Sequence, residues 1–61
     1  MTNNQVALMV WDLLRLKHKN LKGNDLMAAV ILDLVQLKFV SDAVFSGVCK
    51  QAAIHIQIGN Y

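Results

Sequence analysis

From Leu26 to Val40 the chain reads LMAAVILDLVQLKFV, with Asp33, Gln36 and Lys38 as its only charged or strongly polar members. On a helix of about 3.6 residues per turn, Asp25, Ala29, Asp33 and Gln36 fall on one narrow line, so most of the circumference is apolar. Leu26, Val30, Leu34 and Leu37 form one apolar seam, and Met27, Ile31 and Val35 form an adjacent one. Both seams require burial, and the span is too short for a sustained heptad repeat, which favours a compact bundle over an extended coiled coil. Asn24 offers an N-cap for this helix, with Asp25 beside its positive end.

An earlier helix is expected at about residues 4–19, where Thr2, Asn3 or Asn4 can cap the first amides. Its pattern puts Val6, Met9, Val10, Leu13 and either Leu16 or Lys17 on one face, and Leu8, Trp11 and Leu14 broaden the apolar coverage. Gln5, Asp12, Arg15 and Lys19 lie mainly away from that face. The basic end, Arg15 to Lys19, suits a helix C-terminus. Asn20 to Asn24, with Gly23 among them, makes a short helix–helix connection.

Ser41 and Asp42 either continue the second helix or cap a third. A third helix puts Val44, Phe45, Val48, Cys49 and Ala52 on one side, at a cost of about 1 kcal/mol for Gly47 relative to alanine. After Ala53 the period changes: Ile54, Ile56 and Ile58 alternate with His55 and Gln57 up to Gly59-Asn60. That alternation is a short strand pattern. An isolated strand is poorly satisfied, so it favours pairing across a dimer; a helical tail is the other reading. The fold class is therefore mainly α, a small helical hairpin with a short third helix and a short C-terminal strand, forming a dimeric bundle from one domain of residues 1–61.

Composition sharpens this picture. A hydrophobic content of 56 % in 61 residues argues against disorder, yet so small a domain loses much of its apolar surface to geometry and gains by oligomerising. Cys49 is the one cysteine, so no intrachain disulfide can help. The uninterrupted apolar run Leu26–Leu32 is far short of the about 20 residues a spanning helix needs. Extending it to Val48 would place Asp33, Lys38 and Asp42 in the membrane. No convincing export signal is present, and a cytoplasmic location is expected. Surface membrane binding is disfavoured, because Asp12 interrupts the first helix and its cations gather at one end.

Little in the sequence points to catalysis or cofactors. His18, His55 and Cys49 have no recognised metal-ligand spacing. His18 reads as an exposed basic helix end, His55 as the polar side of the isoleucine alternation, and Cys49 as core packing. Asp12, Asp25, Asp33 and Asp42 form no close pair suited to two-carboxylate chemistry. Asp33 is either a solvent edge or a polar specificity element in an interface, with Lys38 and Arg15 as cross-subunit partners.

The chain therefore reads as a non-enzymatic regulatory or scaffolding protein that acts through protein–protein contact as a homodimer, with no cofactor. The expected core and interface residues are Trp11, Leu13, Leu26, Val30, Ile31, Leu34, Leu37, Phe45 and Val48. The competing reading is a helix-turn-helix-like nucleic-acid binder, in which Arg15, Lys17, Lys19 and Lys22 contact phosphates or an acidic partner. A net charge of +2 is too small to imply a polyanion by itself. The third segment offers only Lys50 and Gln51 as obvious contacting groups, a poor recognition face.

Overall fold

A computed structural model describes residues 1–38 and 40–59. Three helices follow in order: α1 (Asn3–Lys17), α2 (Gly23–Gln36) and α3 (Asp42–Gly59). Phe39, near the end of the apolar stretch around α2, and Asn60, in the expected C-terminal stop, lie outside the described residues.

Local chemistry sets the helix ends. Thr2 caps α1: its Oγ1 accepts from the Gln5 amide at 3.1 Å, and the Gln5 side chain accepts from the Thr2 amide at 2.9 Å. This reciprocal capping box satisfies two otherwise orphaned donors. At the other end the His18 amide donates to the Leu14 carbonyl, and Leu21 N–H donates to His18 carbonyl, turning the chain toward α2.

Gly23 takes φ +60° as it enters α2, a left-handed conformation that side chains other than glycine's resist. It starts the helix one residue before the expected cap. Asn24 therefore sits in the first turn rather than capping it, and Lys22 occupies the cap position without a side-chain bond. Asp25, also in that turn, complements the helix dipole. Ser41 resolves the other open boundary. Its hydroxyl accepts from the Val44 amide at 3.3 Å, starting a separate third helix.

The described tail to Gly59 belongs to α3 and is not the short strand its alternation suggests. A strand would put Ile54, Ile56 and Ile58 on one face, whereas a helix turns Ile56 away from the other two. In the helix Ile56 packs against the core one turn after Ala52, while Ile54 and Ile58 face outward. The helix satisfies its backbone locally, whereas a lone strand would leave its edges unpaired. At about 1.5 Å per residue, eighteen residues of α3 match the molecule's longest dimension of 27 Å.

Each helix contributes three buried side chains: Ala7, Trp11 and Leu14 from α1, Leu26, Val30 and Leu34 from α2, and Val44, Val48 and Ala52 from α3. The spacing within each trio is one helical face. On α1 this face differs from the expected one: Met9, Leu13 and Leu16 point outward, and Val6 and Val10 sit at the core's edge. The expected α1–α2 hairpin is also the weakest pairing; α1 packs most extensively on α3. The close approach there explains why. A Cβ added to Gly47 would stand 2.7 Å from the Ala7 Cβ, so the two backbones nearly touch where both residues are smallest.

Candidate functional site

Burial divides the nine expected core and interface residues. Trp11, Leu26, Val30, Leu34 and Val48 are buried within the single chain, and Phe45 is half-buried against that core. Leu13, Ile31 and Leu37 remain exposed, Leu13 at 66 %. They are joined on the surface by Leu8, Met9, Leu16, Leu32, Val35, Ile54 and Ile58. Scattered exposed leucines are ordinary, but helical spacing gathers several of these into strips. Met9, Leu13 and Leu16 share the outer face of α1. Ala28, Ile31, Leu32 and Val35 share that of α2. Leu32 was absent from the residues expected to be buried, and its spacing with Ala28 and Val35 on one helical face is the signal that finds it; Ile31 and Val35, expected to be buried in the second seam of α2, lie exposed because the core takes up only the Leu26–Val30–Leu34 face.

Charged side chains from the end of α1 and from α2 meet at Asp33. Asp33 Oδ2 accepts from His18 Nε2–H at 2.7 Å and from Lys17 Nζ at 3.2 Å. An ionised carboxylate is acceptor-only, which assigns the proton to the imidazole nitrogen. The Asp33 side chain is 15 % exposed. The hydrogen bond from His18 holds its carboxyl below the ordinary carboxylate range; burial opposes that shift, and Lys17 adds to it. Asp33 is thus partnered within its own chain by His18 and Lys17, in place of Arg15 or Lys38 across an interface. His18 is accordingly half-buried rather than a free basic helix end.

The same geometry reshapes the basic cluster. Arg15 Nε pairs with Asp12 Oδ1 at 3.1 Å, one turn away, a half-buried pairing worth about a few tenths of a kcal/mol. Lys17 is committed to Asp33. Lys19 and Lys22 project from the connection as exposed cations. Four expected phosphate contacts therefore become two projecting cations and two that already face carboxylates.

His55 lies on α3, not on a strand, and its ring stacks on Trp11 with centroids 5.6 Å apart and planes inclined by 27°. This contact joins the two helices that also meet at Ala7 and Gly47. Cys49 is half-buried beside the core, and burial pushes its thiol up, away from the reactive thiolate. Among the described residues there is no pocket, no group of three or more His, Cys or Asp side chains placed to hold a metal ion, and no helix long and apolar enough to cross a membrane. No protein-family model, curated protein or solved structure matches this chain. The functional reading therefore rests on surface chemistry.

Proposed function

We propose that this chain is a small, non-enzymatic regulatory or scaffolding protein that acts through protein–protein contact as a homodimer. The observation supporting this reading is the apolar surface left after the three-helix core is complete: Leu13, Leu16, Leu32, Val35 and Ile58 each keep more than half their surface exposed. Fully burying one such aliphatic side chain is worth about 1.5–3 kcal/mol, so covering either strip drives association without a cavity or cofactor. The core closes within one chain, which favours a face-to-face dimer over an intertwined one. The nucleic-acid reading ranks below this one, since Arg15 and Lys17 already face Asp12 and Asp33.

Light scattering across a wide protein concentration range, with far-UV circular dichroism on the same samples, tests the proposal. The expected result is a helical protein whose mass rises to that of a dimer and persists in high salt. A folded monomer throughout would refute self-association. Tight, steeply salt-dependent binding to duplex DNA or RNA, lost on neutralising Lys19 and Lys22, would favour the nucleic-acid reading. The same proposal places the protein in the cytoplasm, which cell fractionation of the full chain checks.

A further inference from the structure

We infer that a second copy of this chain covers the outer face of α2, with the two α2 helices antiparallel about a two-fold axis between Ile31 and Leu32. The inference rests on the homodimer reading and adds to it the face and the register.

The strip in question is continuous along α2. At 3.6 residues per turn, Ala28, Ile31, Leu32 and Val35 lie together, on the side away from Leu26, Val30 and Leu34. Leu32 is 58 % and Val35 63 % exposed. Asp33, the one charged residue between Ala28 and Val35, is directed to His18 and Lys17 at the end of α1 and leaves the strip uncharged. Exposed charges of opposite sign bracket it: Asp25 in the first turn and Lys38 just beyond the C-cap Leu37.

This arrangement is self-complementary only when the helices run in opposite directions. A two-fold interface places the same patch on both subunits, so each contact occurs twice. In the proposed register Ile31 meets the partner's Leu32, Ala28 meets the partner's Val35, and Asp25 meets the partner's Lys38 at both ends. The small residue faces the larger one, and each acid faces a base. The positive end of each α2 also lies beside the negative end of the other. A parallel pairing would instead set Asp25 against Asp25 and Lys38 against Lys38.

The other apolar surfaces lack this complementarity. The Met9–Leu13–Leu16 strip belongs to a helix with no acid in its first turn and with Arg15 and Lys17 in its last. Antiparallel pairing there would bring a basic end to a positive helix end, and parallel pairing would stack the basic ends. On α3 the outward pair Ile54 and Ile58 occupies only the last turns. The strip from Ala28 to Val35 is about 12 Å long and one helix wide, which covers less than the roughly 800 Å² per partner of a standard interface. The small area makes the dimer's population depend on protein concentration.

Sedimentation equilibrium of the full chain from low micromolar to millimolar concentration tests the proposal, with circular dichroism confirming the fold of each variant. Leu32→Glu lies on the surface and is expected to weaken dimerisation at least tenfold, whereas Leu13→Glu leaves it unchanged. Asp25→Lys and Lys38→Asp each weaken it several-fold, and the double exchange restores it. Dissociation by Leu13→Glu but not by Leu32→Glu would place a real dimer on another face, overturning this inference while sparing the homodimer. Failure of the double exchange to restore affinity would overturn the antiparallel register. A wild-type monomer at every concentration would overturn both readings together.

Discussion

Replacing Gly47 with alanine sets two effects of opposite sign against each other. In a free helix the change stabilises by about 1 kcal/mol, because alanine is the better helix former. In this fold the new methyl would lie 2.7 Å from the Ala7 Cβ, about 0.8 Å inside the closest comfortable carbon–carbon separation of roughly 3.5 Å. The Ala7 methyl is fixed to the backbone and cannot rotate away, so α1 and α3 must move apart. Overpacking of this kind costs about 1–3 kcal/mol, and here it also loosens Trp11 and Val48 nearby. The expected net loss is about 0–2 kcal/mol, a drop in Tm of up to roughly 16 °C for a domain of this size. Against a total stability of about 3–9 kcal/mol for 61 residues, the upper end of that loss is a large fraction.

The assay is thermal and urea unfolding of Gly47→Ala, Ala7→Gly and the double variant, followed by circular dichroism. Ala7→Gly alone gives up about 1 kcal/mol of helix propensity and about 0.8 kcal/mol for the buried methyl. The double variant exchanges the methyl between the helices and removes the clash. It should therefore be more stable than the sum of the single losses allows, with a coupling of about 1 kcal/mol or more. A Gly47→Ala protein that melts higher than wild type would refute the close-approach argument outright. Additive single effects would refute the specific role of Ala7.

Three further outcomes follow from the same structure. Asp33 has a depressed carboxyl pKa in the fold, so its stabilising contribution is complete above its ordinary value of 3.8 and is lost as pH falls through the lower folded value. Asp33→Asn should cost about 1 kcal/mol at neutral pH and flatten the acid limb of a Tm-versus-pH profile below about pH 4; an unchanged acid limb would contradict the His18–Asp33 contact. Thr2→Ala removes half of the capping box and should cost about 1 kcal/mol, with amide hydrogen exchange accelerated first at the start of α1. Cys49 should react with an aromatic disulfide reagent about tenfold or more slowly in the native protein than in denaturant, and equal rates would show the thiol to be open.

How much of this was legible beforehand depended on whether the determining contacts were local. The existence of three helical segments, the break around Gly23 and the burial of Leu26, Val30 and Leu34 follow from spacing, because apolar periodicity and helix-ending residues act within a few turns. The unusual excess of apolar surface on α2 was equally visible, since its few polar residues occupy one narrow line.

Only the tertiary structure decided which of several apolar faces turns inward. Helix α1 is apolar over most of its circumference, so its period names no unique direction; the near-contact of Ala7 with Gly47 selects the Ala7–Trp11–Leu14 face and sends Met9, Leu13 and Leu16 outward. The isoleucine alternation reads as a strand, and packing of Ile56 with the stacking of His55 on Trp11 chooses helix. Asp33 meets His18 across fifteen positions of sequence, a distance over which no local pattern carries information. The amino-acid pattern thus determined where helices form and how much surface they must hide. Their mutual approach, set by the smallest side chains and the few long-range polar pairs, determined which surface stayed in water.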